Sequence, residues 1–216
     1  MPDPKDLPAE YASPPCFMHE LTPEFRTPAQ GAFGNDLARW RKAERERLIA
    51  ERMAWSADIR TAKTEAIARK LDQAIGKPGN RIVSLYWPFK GEPDLRNWLI
   101  QLIERGARIA LPVVVEKKAP LEFRLWAPGE PLERGIWNIL VPAHGAVVMP
   151  DIVIAPVVGF DAENYRLGYG GGYFDRTLAA APKKPFAIGI GYGESRIRTI
   201  YPQPHDIAMD MIVTDG

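Results

Sequence analysis

Between residues 168 and 172 the sequence reads Gly168-Tyr169-Gly170-Gly171-Gly172, four glycines in five positions. No other segment constrains the fold as much. Each glycine costs backbone entropy on folding, so the cluster marks a place where the main chain turns tightly or comes close to something. Before it stands Ile152 to Val158, a continuous apolar run of the kind covered on both faces in a central strand. After it, Tyr173 to Ala180 reads as a helix. Strand, glycine loop and helix together bring main-chain N–H groups to a helix N-terminus, where an anion such as a phosphate is held. The familiar phosphate motifs are nevertheless absent. The dinucleotide pattern G-x-G-x-x-G would need glycine where Tyr173 stands, and the P-loop ending Gly-Lys-Ser/Thr is missing. A tight strand-to-helix turn with no ligand is the other reading of the same glycines.

The rest of the chain supplies a sheet for that unit. Leu37 to Met53 carries alternating charges without Gly or Pro, an exposed helix starting from Asn35 or Asp36. Ser56 caps a second helix, whose Ile59, Ala62, Ala66, Ile67, Leu71 and Ile75 recur at helical spacing until Gly76 and Pro78 stop it. Ile82 to Trp87 reads as a strand, Asp94 to Arg105 as a helix and Arg108 to Val115 as the next strand. Strand, crossover helix and strand form a parallel unit with helices on the sheet faces. Leu121 to Trp126 alternates like a half-exposed strand, and Phe186 to Tyr192 and Met211 to Thr214 complete the set. The fold class is α/β, with the site in the loops after strand ends.

Composition narrows the partners. With 28 Lys+Arg against 27 Asp+Glu the chain carries a net charge of +1, unlike proteins that wrap nucleic acid. One Cys cannot form an intramolecular disulfide, which suits a reducing cytoplasm. No run of about 18 apolar residues suggests a membrane span, and the polar, proline-rich start is unlike an export signal. Of the 21 prolines, those at 2, 4, 8, 14, 15, 23 and 28 precede residue 37. Residues 1–36 therefore read as an arm, extended on the body or disordered, and 37–216 as one domain. Within the arm, Pro14 to His19 is the one apolar knot, read as a clip packing Phe17 and Met18; Cys16 and His19 lack further ligands for a metal. A monomer or weak homodimer is the expected assembly.

Asp175 falls in the first turn of the helix after the glycines. A carboxylate beside a polyphosphate is repelled unless a cation lies between them, and Mg²⁺ binds through one or two carboxylates plus phosphate oxygens. Asp206 or Asp210, in the proline-framed late segment, is the candidate second acid. Glu92 follows a strand end within a Gly-Glu-Pro turn. Arg124 is either a phosphate contact or a partly exposed sheet residue, and Trp87, Trp126 and Trp137 either pack or stack on a ligand.

Pro156-Val157-Val158-Gly159-Phe160-Asp161, followed by Arg166 to Arg176, resembles the signature of the 5-formyltetrahydrofolate cyclo-ligase (5,10-methenyltetrahydrofolate synthetase) family. The likeness extends through Tyr86 to Glu92, Leu121 to Arg124 and Trp137-Asn138-Ile139 to Pro204-His205-Asp206 and Asp210, about residues 39 to 215, and leaves the arm outside. It implies a three-layer α/β/α sandwich, its sheet largely parallel or mixed, related to the sugar-phosphate isomerase and CoA-transferase group. It implies ATP and 5-formyltetrahydrofolate as substrates and Mg²⁺ as cofactor. Carried over by residue, it puts Arg41 or Lys42, Arg45 and the loop Arg166, Leu167, Gly168, Tyr169, Gly170, Gly171, Gly172, Tyr173 and Phe174 on ATP. Trp87, Glu92 and Tyr173 would contact the folate, and Asp175 and Asp206 the metal.

In three places the sequence departs from that family's pattern. Arg41 stands where Lys is usual, Phe174 replaces a common second Tyr, and Tyr169 occupies a position often held by Arg. The implied reaction needs no protein nucleophile, and so no role for Cys16. Two other readings are an inactive nucleotide- or folate-binding relative acting through the arm, and a sugar-phosphate isomerase needing a general acid/base pair but no ATP.

Overall fold

The computed structural model describes residues 30–216. Contacts divide the chain between Trp40 and Arg41, and the sheet and cleft described below belong to the unit 41–216. Helix α1 (Gln30–Ala54) begins seven residues before Leu37. Residues 30–36 are thus helical rather than part of an extended arm, in keeping with the absence of any proline between Pro28 and Pro78. The remainder of the expected arm, with the Pro14 to His19 knot, lies outside the described residues.

Helix α2 (Ala57–Ile75) has the ends its sequence encodes: the Ser56 hydroxyl accepts from the Ile59 amide at 3.3 Å, and Gly76, at φ 63°, closes it by donating to the Asp72 carbonyl. There follow β1 (Ile82–Ser84), α3 (Arg96–Glu104), β2 (Arg108–Val113) and β3 (Glu122–Leu125). A hairpin that the sequence pattern does not announce, β4 (Leu132–Arg134) with β5 (Leu140–Pro142), is joined through a short 3₁₀ turn at Ile136–Asn138. Then come β6 (Val147–Val148), β7 (Ile152–Pro156), the paired β8 (Gly159–Phe160) and β9 (Arg166–Leu167), α4 (Tyr173–Ala180), β10 (Phe186–Ile190) and β11 (Met211–Val213). The apolar run expected to extend to Val158 leaves the sheet at Pro156. Val158 donates instead to the Leu167 carbonyl at 2.9 Å, so the backbone changes partner there.

The seven-stranded sheet has the order β11-β10-β7-β1-β2-β3-β6. The first five strands are parallel, and β3 runs antiparallel to both β2 and β6. Alternation along β7 assigns the faces. Ile152 and Ile154 pack with Ile67 and Leu71 of α2 and Leu99 and Leu102 of α3, whereas Val153 and Ala155 face the side of Leu178 and Phe174 of α4. Small Ala110, Ala155 and Ala187 line that second face. The result is the expected α/β/α sandwich with a mixed sheet. Each fully buried Leu, such as Leu71 or Leu102, contributes about 1.5–3 kcal/mol to it.

The topology also locates the site. From β1 the chain moves to β2 on one side, while β7, on the other side of β1, leads on to β10 and β11. The direction of winding reverses between β1 and β7, and their carboxyl ends open a crevice at that point.

Candidate functional site

A cleft of about 450 Å³ occupies that crevice, within the usual size range for small-molecule sites. Tyr86, Trp87, Phe89 and Glu92 reach it from the segment after β1, and Pro156 with Arg166 to Asp175 from the segment after β7. Arg41 and Arg45 come from α1, Trp137 and Ile139 from the hairpin turn, and His205 and Asp206 from the late loop.

The glycine loop forms one wall. Gly170 (φ 92°) and Gly172 (φ 63°) lie in the left-handed region, which explains the residue type at these two points. A side chain at Gly170 would also sit 3.4 Å from the Arg45 guanidinium carbon. Arg45 donates to the Gly168 carbonyl at 2.6 Å, and Arg176 donates to the Gly171 carbonyl while lying over the Tyr173 ring. None of the described backbone hydrogen bonds uses the N–H groups of Gly170, Gly171 or Gly172. These amides, at the start of α4 and backed by Arg45, make a cationic concavity suited to phosphate. Burial, ahead of repulsion from Arg41, lowers the Arg45 pKa.

Two arginine–carboxylate pairs hold the expected metal acids. Arg166 donates to Asp175 Oδ2 at 2.8 Å, and Asp175 Oδ1 accepts from the Ile207 amide at 3.2 Å. Burial lowers the Arg166 pKa against the opposing pull of Asp175. Arg41 meets Asp206 at 2.6 Å, Asp206 also accepts from the Gln203 amide at 2.7 Å, and His205 stands 3.9 Å from it. Burial raises the Asp206 carboxyl, but these hydrogen bonds outweigh it and hold the group below its ordinary value. Among the described residues no three His, Cys, Asp or Glu side chains gather into a metal site. Two carboxylates on one cleft nonetheless fit Mg²⁺, which takes its other ligands from phosphate and water.

The opposite side carries a buried carboxylate. Glu92 Oε2 accepts from the Phe89 amide at 2.8 Å, while Oε1 has no hydrogen-bond partner. Burial pushes the Glu92 carboxyl up to about 7, against the attraction of Arg52. Arg52, whose side chain is 1% exposed, stands 4.0 Å from Glu92 and donates to the Lys90 carbonyl at 2.8 Å and the Tyr169 hydroxyl at 2.5 Å. The sequence reading overlooks Arg52. It follows Arg41, Arg45 and buried Leu48 at i, i+4, i+7 and i+11, one helical face, and that spacing is the signal that could have found it.

Aromatic rings flank the space between the two sides. Trp137 meets Tyr173 edge-on at 5.6 Å and Phe89 meets Tyr169 at 5.8 Å. Trp126 packs against Trp87 at 6.1 Å and does not line the cleft. Three other candidates lie elsewhere. Lys42 points outward beside Glu46, Asp210 pairs with Lys184 and accepts from the Ala187 amide, and Arg124 faces Glu122 and the Pro142 carbonyl. Of these alternatives Arg41 and Asp206 line the cleft, and Lys42 and Asp210 do not.

This architecture has relatives. A protein named 5-formyltetrahydrofolate cyclo-ligase from Mycolicibacterium smegmatis is 30% identical over 178 residues, covering 79% of this chain and 91% of the relative. A solved 5,10-methenyltetrahydrofolate synthetase from Mycoplasma pneumoniae matches with a TM-score of 0.67 at 25% identity, over 82% of this chain and 99% of that one. The corresponding Aquifex aeolicus structure matches at 0.70 and 26%, over 82% and 90%. The model of the 5-formyltetrahydrofolate cyclo-ligase family matches residues 38–215. That span takes in every segment lining the cleft, from Arg41 to Asp206, and on it the chain belongs to the 5-formyltetrahydrofolate cyclo-ligase family.

Proposed function

We propose that this chain converts 5-formyltetrahydrofolate to 5,10-methenyltetrahydrofolate with ATP and Mg²⁺, giving ADP and phosphate, in the cytoplasm. One observation carries the reading: a single cleft joins a glycine-amide and arginine concavity to a buried carboxylate among aromatic rings. The first suits a triphosphate and the second a flat heterocycle with N–H groups.

The chemistry suits those parts. A formamide oxygen leaves only when activated. Transfer of the γ-phosphoryl group from ATP to the formyl oxygen breaks the terminal phosphoanhydride bond and forms a carbon–oxygen–phosphorus link. The N10 amine then attacks the formyl carbon, loses its proton, and the oxygen departs as phosphate. Alignment and charge neutralisation are what the protein must provide. Arg45 and the Gly170 to Gly172 amides would hold the phosphates, Arg41 and Arg166 would add positive charge, and Trp87, Tyr173 and Glu92 would orient the folate. Asp175 and Asp206 would hold Mg²⁺, which when bound neutralises phosphate charge. No protein nucleophile takes part.

Phosphate release tests the reading. With Mg-ATP the protein should release one phosphate per 5-formyltetrahydrofolate consumed, and almost none without folate. ATP hydrolysis indifferent to folate would contradict it.

A further inference from the structure

Arg52 is spent on three separate pieces of the cleft. Besides the Lys90 carbonyl and Tyr169, it reaches the Val157 carbonyl at 3.4 Å, so one guanidinium ties α1 to the segment after β1, the end of β7 and the glycine loop. The hydrogen bonds around Glu92 run in series. Arg52 donates to the Tyr169 hydroxyl, Tyr169 donates to the Phe89 carbonyl at 3.3 Å, and the Phe89 amide donates to Glu92 Oε2. None of these hydrogen bonds ends on Glu92 Oε1, although Arg52 and the Tyr169 hydroxyl both stand near enough to favour the charged carboxylate, and the side chain is 2% exposed and lines the cleft. A buried acceptor without a partner is costly, and at the wall of a cleft a bound molecule can supply the missing donor.

We propose that Arg52 is a positioning residue for folate recognition: together with Tyr169 it holds the Glu92 carboxylate ionised and oriented, with Oε1 free to accept an N–H group of the substrate's pterin ring. The proposal rests on the folate reading above. The 4.0 Å separation is what makes it work. It is close enough for Arg52 to stabilise the anion and too long for a hydrogen bond that would occupy Oε1. The titratable groups around Glu92 are Arg52 on α1, Tyr86 after β1, Tyr169 in the glycine loop and, beyond them, Tyr192 after β10, whose hydroxyl donates to the Gly91 carbonyl. Arg52 is the cation among them, so its removal shifts Glu92 toward the neutral acid.

The test is equilibrium binding of 5-formyltetrahydrofolate without nucleotide, followed by tryptophan quenching across pH, on Arg52→Met, Arg52→Lys and Tyr169→Phe. Arg52→Met should weaken folate binding by about 20-fold at pH 7.5 and move the pH below which binding is lost upward by about one unit. Arg52→Lys should restore part of both, Tyr169→Phe should cost about three- to fivefold, and the Kd for ATP should stay within about threefold in Arg52→Met. If Arg52→Met does not fold, the other two variants decide on the same readouts. Folded variants with wild-type folate affinity and pH profile would overturn the proposal alone, leaving Arg52 a structural tie. A wild-type protein that binds no folate would overturn the functional reading and this inference together.

Discussion

The Arg41 guanidinium meets the Asp206 carboxylate at 2.6 Å across 165 positions of sequence, with both side chains almost covered. The pair joins helix α1 to the loop framed by Pro202 and Pro204, and Arg41 also donates to the Ile200 and Tyr201 carbonyls. One side of the cleft is thereby held by a cation and an anion that would both face the nucleotide.

Asp206→Asn should therefore raise the KM for Mg-ATP by about tenfold and increase the Mg²⁺ concentration needed for half-maximal rate. Asp210→Asn should leave both within about twofold, because Asp210 pairs outside the cleft. Steady-state titrations of ATP and Mg²⁺ on the two variants check the contrast.

Asp175 has a second duty as partner of buried Arg166. Asp175→Asn should lower kcat by about 100-fold or more, the scale of a lost charge-stabilising contact. It should also cost about 1–3 kcal/mol of stability, since Asn still accepts a hydrogen bond but leaves the buried guanidinium without its hydrogen-bonded counter-charge, with only Asp206 remaining nearby. Activity at saturating Mg²⁺, read beside a denaturant titration, separates the two effects; full activity would reduce Asp175 to a helix-end acid.

Among the cations of α1, Arg45→Ala should raise the ATP KM by about tenfold or more through loss of its hold on Gly168, whereas Lys42→Ala should leave it unchanged. Isothermal titration with ATP checks both. An equal effect of the two would contradict the orientation of the helix.

The strand, glycine loop and helix from Ile152 to Ala180 were legible because a continuous apolar run, left-handed glycine positions and helical spacing all point to one local structure. Ser56 and Gly76 marked the ends of α2 by the same logic. Arg52 was hidden within Arg41 to Arg52, a run in which five cations look alike until packing turns Arg41, Arg45 and Arg52 inward. Asp206 and Asp210 could not be ranked because their directions depend on partners distant in sequence, Arg41 and Lys184. The β4–β5 hairpin escaped notice because its strands are only three residues long and its turn places Trp137 and Asn138, rather than its single glycine Gly135, at positive φ.

Glu92 gives a pH prediction with a definite sign. Its folded pKa, about 7, exceeds the ordinary 4.5, so between those values the native state holds a proton that the unfolded chain releases. Stability due to this group is greatest below about pH 4.5, falls as pH rises and is fully lost above about 7, a loss of about 3 kcal/mol. Glu92→Gln removes that loss. Relative to wild type, its Tm should be several degrees higher at pH 8 than the difference found at pH 5, while kcat/KM for the folate falls by about tenfold or more. Parallel melts at the two pH values, with kinetics at pH 7.5, check the trade.

The formation of the methenyltetrahydrofolate chromophore tests the central claim most directly. Folded protein mixed with 5-formyltetrahydrofolate and Mg-ATP should give a steady rise in its absorbance, with no rise when ATP is omitted. Folded protein that gives the same trace with and without ATP would contradict the account.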